Sequence, residues 1–507
     1  MIPDGTVLNN KSNENINEAT GTKTRDMGRI VLRNTLAVIS GRWINKVLTF
    51  LFSILTFRLL GAVGLGQYAT VIAFVGLFGV FFELGMSQYV ERSIAQNRDR
   101  TQTLFWNLVT LRLLLALLGI AIITSLSFVA GHEPPVVRGV FLLTLTFILA
   151  AFLMPLTTVL RANERFDITM VIQVSNQIAT IVFGSIFLLL GFGFLALIYT
   201  SFIGMPIQMI ICIWALRRHR LGTLSFKVTP ATWSDFVRAS LPFGLTSLAL
   251  TLNFNADTVI LGLFHPDSTV GWYNAAYRTI FNVVQLVSGF VFVLTPSLAR
   301  EHTEDPKRVH LWVRKSIEGL SLFAFPATVG LFLLAPRAIP LLYGESYLPT
   351  GHLLLLMCFD VPLLLFISLC GNVTTATGLE HPASRIYMFS TALNVAGNFL
   401  LIPWIGMYGA ALMTVLTDGL SSLRFYLLLN KHMQLDQVLF KLVRIGLVAL
   451  LMGVVVWLTS PLPVFIVVLI GMVSYVLLVL WLRLVEWSML VSIARIITRR
   501  SSKALSS

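Results

Sequence analysis

Long apolar runs, repeated along nearly the whole chain, constrain this sequence more than any other feature. From residue 36 onward they follow one another with only short polar turns between them. About 20 such residues are needed to cross a ~30 Å hydrocarbon core. Inside lipid every backbone N–H and C=O must be satisfied within its own segment or a closed barrel, so runs of this length imply helices. Reading with that ruler gives about fourteen: 36 to 59, 66 to 90, 104 to 129, 139 to 160, 168 to 190, 193 to 216, 240 to 263, 271 to 297, 316 to 335, 351 to 376, 386 to 403, 407 to 429, 442 to 460 and 463 to 484. An all-α, polytopic membrane protein is predicted. With apolar residues at 56% and charged ones at 12% of 507, too few charges remain to solvate a soluble chain of this length.

The balance of 37 Lys and Arg against 23 Asp and Glu is strongly basic. On a soluble protein it would suggest nucleic acid, but on a polytopic one it reports topology first. Alternate loops hold the cations, among them Arg92, Arg98 and Arg100, Arg161 and Arg165, Arg217 to Arg238, Arg314 and Lys315, and Lys431 and Lys441. The intervening loops hold only Arg138 and Arg337. The positive-inside rule therefore places both termini of this multi-pass protein in the cytoplasm.

Phe57 to Ala69, FRLLGAVGLGQYA, joins the first two runs and reads as a transmembrane hairpin with Arg58 at its turn. The stretch has an echo in LGLFHPDSTVGWYNAAYR, where Gly271, Trp272 and Tyr273 stand as Gly66, Gln67 and Tyr68 stood. A later pair agrees: residues 378 to 412 echo the segment beginning at Ala162. Two six-helix lobes in the same orientation follow, as in transporters built from parallel repeats around a central path. The expected organisation is a disordered cytoplasmic tail at 1–34, an N-lobe at 35–216, a cytoplasmic linker at 217–239 and a C-lobe at 240–430, followed by a C-terminal hairpin at 431–490 and a basic cytoplasmic tail at 491–507.

Charges inside the spans are the informative residues, because each costs about 3 kcal/mol or more at the bilayer centre. At 1.5 Å per residue, Arg42 lies roughly 9 Å deep, Lys46 roughly 15 Å, Glu83 ~10 Å and Arg112 ~12 Å from the same side. Four charged groups at similar depths point to a shared polar cavity. Snorkelling competes for Arg42 and Arg112, and a structural ion pair with Lys46 or Arg42 competes for Glu83. In the second half Asp257 and Arg278 match in depth and could form a salt bridge, while Asp360 and Asp418 lie near mid-membrane with no cation adjacent in sequence. Buried carboxyls of that kind are candidates for ion coupling. Asn394 and Asn398, one turn apart, suit interhelical hydrogen bonding. Cys212, Cys358 and Cys370 all fall in apolar spans without metal-type spacing, so neither a disulfide framework nor a metal site is indicated.

R-x-L-G-x-x-x-x-G-x-Y from Arg58 to Tyr68, E-L-G-M at 83 to 86, and N-V-A-G-N-F-L-L-I-P-W-I-G-M-Y-G-A-A from Asn394 to Ala411 together resemble the signatures of polysaccharide biosynthesis membrane proteins. These are the Wzx-like lipid-linked oligosaccharide flippases of the MOP exporter superfamily. The resemblance runs in order from about residue 35 to 430. It implies a two-lobed, MATE-like transporter without catalysis that flips an undecaprenyl-diphosphate-linked repeat unit by alternating access, for O-antigen, capsule or exopolysaccharide. Relatives use cavity cations for the diphosphate and for sugar acids, and here Arg42, Lys46, Arg58, Glu83, Arg112 and Arg278 fit that picture best. It implies no cofactor, with proton or sodium coupling open and Asp257, Asp360 and Asp418 as its candidates. The implied partners are membrane lipids, a polysaccharide polymerase and a chain-length regulator, with no nucleic acid. Fourteen spans also resemble the peptidoglycan-precursor branch, and a multidrug exporter of the same superfamily is the other alternative. The short outer loops leave no room for the acid/base chemistry of a membrane glycosyltransferase.

Overall fold

The computed structural model describes residues 46, 48–219, 228–230, 233–304, 306–433, 435–482 and 484, leaving aside the side chains of 246, 250, 288–308, 436 and 437. Arg42, the 1–34 tail and the 491–507 tail lie outside these residues. The chain forms two compact units, residues 1–53 and 54–507. Lys46, in the first, is helical and half-buried.

The described residues fold into helices: α1 (Leu48–Glu83), α2 (Met86–Gln96), α3 (Thr101–Val129), α4 (Pro134–Ala162), α5 (Phe166–Leu189), α6 (Leu195–Arg218), α7 (Trp233–Phe264), α8 (Asp267–Glu304), α9 (Pro306–Tyr343), α10 (Leu348–Met357), α11 (Asp360–Ala376), α12 (Glu380–Ile405), α13 (Met407–Met433), α14 (Asp436–Leu458) and α15 (Val464–Trp481). Short 3₁₀ turns at Arg98–Arg100 and Glu345–Tyr347 link some of them. Among the described residues, ten helices are long and apolar enough to cross a membrane, or up to twelve if each bent pair is one span. The count of fourteen read from the sequence is not reached. Helical hydrogen bonding runs through the first two apolar runs, so they merge into α1, with the break marked only by Gly61 at φ +64°. The tenth run is bent by 57° between α10 and α11, where Cys358 and Phe359 interrupt it.

Packing inside the second unit falls into two groups. In one, α4 packs on α2, α3 and α6, and α5 packs on α6. Two cores hold this group, one around Met86, Leu108, Leu156 and Cys212 and the other around Val71, Phe74, Val140 and Ile198. In the other, α8, α9, α11 and α13 surround a core that includes Tyr273, Tyr343, Met357 and Phe425, with α12 on α7 and α13. Burying each large side chain of this kind contributes about 1.5 to 3 kcal/mol where it is removed from water.

The groups meet along α1 and α7 with the start of α8. A methyl group added at Gly66 would overlap the Asp267 carbonyl, and one added at Gly271 would overlap the Ala62 carbonyl. Further along, Gly262 faces Thr70 and Gly76 faces Asn255. At the far end Gly85, at φ +68°, lies against the backbone of Phe243 and Gly244. Residue numbers rise along α1 as they fall along α7, so the two helices run antiparallel. Glycine at these crossings lets backbones touch, which is how helices associate where no hydrophobic effect operates between them.

The α14–α15 hairpin is fixed to α9 at three levels. Lys441 pairs with Glu318 at 2.8 Å, Tyr475 donates to the Leu322 carbonyl at 2.8 Å, and Arg337 donates to the carbonyls of Ser460 and Leu462.

Candidate substrate path and ion site

Arg112 projects from the middle of α3 into the first group's core and is buried, as an apolar helix with a single charge must arrange if that charge is to avoid lipid. Its Nη2 lies 2.6 Å from Glu83 Oε1 at the end of α1. The two partners are unequal, the arginine side chain being 9% exposed and the glutamate 42%. Arg161 pairs with Glu91 at 3.0 Å and its charge also acts on Arg112. Glu83 thus finds its partner in Arg112, a pairing the sequence did not point to. Lys46 belongs to the first compact unit and Arg42 lies outside the described residues.

Arg58 is exposed, and its guanidinium reaches the C-terminal end of α9. Nε donates to the Leu342 carbonyl at 2.7 Å and Nη2 donates to the Leu341 carbonyl. Those are orphan acceptors at the negative end of a helix, and a cation with a planar fork satisfies two of them at once. Phe57 next to it packs edge-on against Tyr343, with ring centroids 4.6 Å apart, and Tyr347 donates to the Phe57 carbonyl at 3.2 Å. Arg278, half-buried on α8, places its guanidinium carbon 5.7 Å from the centre of the Tyr68 ring. Arg58 and Arg278 therefore both join α1 to the second group, at the end where Gly66 meets Gly271.

The acids sit elsewhere. Asp257 on α7 is buried, accepting from the Thr258 amide at 2.7 Å and from the Tyr273 hydroxyl, which also lies 3.4 Å from Thr414 Oγ1. Among the described residues no ion pair joins it to Arg278, contrary to the salt bridge that equal depth suggested. Asp360 opens α11 just past the bend and is fully buried, and apart from the Asp418 carboxyl that faces it nothing among the described residues satisfies its carboxylate oxygens. Asp418 on α13 is its charged neighbour, and Tyr277 feels Asp257, Asp360 and Asp418 together. A carboxylate buried without a partner costs several kcal/mol, so this cluster needs a proton or a small cation to be neutral. Asn398 donates to Asn394 at 2.9 Å and Asn394 donates to Thr417 at 3.2 Å, tying α12 to α13 through amides.

Three participants were not singled out from the sequence. Tyr273 and Tyr277, stacked at 6.2 Å, tie the acids of three helices into one cluster, and their only sequence signal was the repeat echo at Trp272 and Tyr273. Asn107 on α3 accepts from the Thr229 amide at 2.9 Å, donates to the Thr229 hydroxyl at 2.8 Å and accepts from Trp233 at 3.3 Å. A lone asparagine in an apolar span carries no sign of the segment it will grip.

Comparison with known proteins places this geometry in a family. Residues 54–351 match the family described as polysaccharide biosynthesis protein. A probable low-salt glycan biosynthesis flippase of Haloferax volcanii is 21% identical over 370 residues, covering 72% of this chain and 76% of that protein. The amylovoran biosynthesis protein of Erwinia amylovora is 24% identical over 299 residues, covering 58% and 75%. Among solved structures, the lipid II flippase MurJ in an inward closed conformation superposes with a TM-score of 0.71 at 18% identity, over 87% of this chain and 98% of that one. An inward-facing multidrug resistance MATE transporter of the MOP superfamily gives 0.60 at 17% identity, over 76% and 94%.

Proposed function

This chain belongs to the polysaccharide biosynthesis protein family, a multi-pass helical membrane protein with the fold of MOP superfamily transporters, and from that premise we propose that it flips lipid-linked oligosaccharide across the plasma membrane. The substrate is an undecaprenyl-diphosphate-linked repeat unit of a cell-surface polysaccharide, and it crosses by alternating access of two lobes with no covalent chemistry. The observation that carries this reading is the separation of buried charge: Arg112 in the first group, and Asp257 and Asp360 in the second. A diphosphate entering the first group can take over Arg112 from Glu83, whose carboxylate is already half in contact with water. A cavity for cationic drugs would place acids there instead. Lys46, Arg42, Arg58 and Arg278 extend the cationic set in this proposal, with Arg58 and Arg278 acting at the end where Gly66 meets Gly271. Asp257, Asp360 and Asp418 take the coupling proton or sodium ion, and both termini lie in the cytoplasm. A polymerase and a chain-length regulator act on the product.

The test is genetic and biochemical together. Cells lacking the gene should accumulate the repeat unit on its lipid carrier and lose the surface glycan, and vesicles containing the purified protein should expose extracted lipid-linked glycan to an external glycosidase faster than empty vesicles. A protein that moves a cationic dye down an ion gradient and leaves lipid-linked glycan in place would refute the proposal in favour of an exporter.

A further inference from the structure

α5 carries glutamines that the charge-based reading passes over. Its exposed apolar residues Val171, Val174, Ile178, Val182 and Ile186 recur every three or four positions and form the face expected to meet lipid. At 3.6 residues per turn, Gln173 and Gln177 point about 140° away from the centre of that face. Gln173 is exposed and Gln177 half-buried, and among the described residues neither side chain has a hydrogen-bond partner. Beside them Asn176 accepts from Gln208 of α6 at 2.9 Å, so the amide surface continues onto the neighbouring helix. About three turns further on, the same azimuth of α5 is closed, because Gly184 and Leu188 are buried. The opening on this face is therefore limited to the first half of the helix.

Two unpaired amides in a membrane span are costly in hydrocarbon, where each polar group without a partner costs several kcal/mol. They lie about 10 and 16 Å along the helix from its start. From Ile168 to Leu189 α5 contains no ionisable residue, so the face is built for neutral hydrogen-bonding groups. A primary amide offers two donors and one acceptor side by side, matching a pair of adjacent hydroxyls. Four residues separate Gln173 from Gln177, about 6 Å of helix rise, comparable to the reach across one sugar ring.

We propose that Gln173 and Gln177, continued by Asn176 and Gln208, form a rail that holds the sugar hydroxyls of the transported lipid while Arg112 holds its diphosphate. The inference rests on the flippase reading and adds a carbohydrate subsite to it. The rail supplies selectivity for a glycan-bearing carrier over the bare carrier, because an amide left without its hydroxyl stays unpaired.

Cysteine labelling tests both halves of the claim in the full-length protein with Cys212, Cys358 and Cys370 changed to alanine. Gln173→Cys and Gln177→Cys should react with a water-soluble, membrane-impermeant maleimide, and Ile178→Cys should not. Polyprenyl diphosphate carrying the repeat unit, extracted from the native cells, should slow that labelling at least fivefold, and bare undecaprenyl diphosphate should not. In a background with native cysteines, the Gln173→Leu/Gln177→Leu double variant should bind the glycan-bearing lipid about tenfold more weakly and the bare lipid unchanged. Absence of labelling at both glutamine positions, or equal protection by the two lipids, or unchanged binding of the glycan-bearing lipid by the double variant, overturns the rail and leaves transport standing. Failure of the unsubstituted protein to restore surface glycan strikes the flippase reading itself, while the labelling pattern still reports on the rail.

Discussion

Gly66 and Gly271, which occupy equivalent places in the two halves of the sequence, lie against each other where α1 meets α8. A methyl group on either would come within 3.1 Å of the other's backbone nitrogen, with a carbonyl oxygen closer still. This crossing marks one end of the seam between the two packing groups. The Gly85 and Gly244 contact marks the other.

Alanine at Gly66 or Gly271 is expected to force these backbones apart, at a cost of about 1 to 3 kcal/mol from overpacking. Gly319 and Gly330 have open space where a methyl group would go, so Gly330→Ala should leave stability unchanged. Thermal unfolding of the purified variants in detergent measures the difference. A Gly66→Ala protein as stable as Gly330→Ala would show that the crossing is loose.

The Glu83 and Arg112 pair should be asymmetric under mutation. Glu83→Gln strands a buried guanidinium and is expected to cost about 3 kcal/mol. Arg112→Met leaves a carboxylate that is already 42% exposed, and should cost clearly less. The double variant should be more stable than the sum of the two single losses predicts, by the coupling a double-mutant cycle isolates. Additive losses would mean the two side chains do not depend on each other.

Arg58→Ala should lower stability by about 1 kcal/mol through loss of the two carbonyl contacts at the end of α9. Arg58→Lys should recover only part of that, since an ammonium lacks the planar fork. Binding of undecaprenyl diphosphate separates capping from direct recognition. If Arg58→Lys weakens that binding with no loss of thermal stability, the residue is a ligand of the substrate.

Asp360→Asn is expected to leave substrate binding intact and to abolish the response of transport to an imposed proton or sodium gradient. An amide at this position can still donate to the Asp418 carboxyl, so the fold should tolerate the change. Gradient-driven flipping in vesicles is the measurement. An unchanged gradient response would remove Asp360 from the coupling site.

His132, in the turn between α3 and α4, gives a pH signature. Its ring lies edge-on to Phe74 at 5.2 Å, its Nε2 is buried without a hydrogen bond, and burial holds its pKa below the ordinary histidine value. The folded protein therefore binds this proton less readily than the unfolded chain. Stability is full above the unfolded value of about 6.5 and falls as the pH drops through it. Unfolding midpoints at pH 7.5 and 5.5 should differ in the parent and converge in His132→Gln. A parent whose midpoint rises on acidification would contradict the assignment.

The apolar runs, the paired halves, the basic loops and the family signature from Arg58 to Tyr68 were all legible in the sequence, because lipid makes each segment satisfy its own backbone and leaves length, hydropathy and loop charge as local properties. Partners of charged groups are not local. Nothing within reach of Arg58 in the chain indicates Leu341 and Leu342, 283 and 284 residues away, and the similar depth of Glu83 and Arg112 did not say that they pair with each other across the intervening α2. The break at Gly61 and the bend before Asp360 likewise depended on which helices pack around them, so span counting by length alone could not resolve them. Composition and period thus determined that this chain is a bundle of membrane-length helices. Only the tertiary structure decided which buried charges are neutralised, which cap a helix, and which, like Asp360, face another carboxyl, because those outcomes depend on distances between helices that no local pattern encodes.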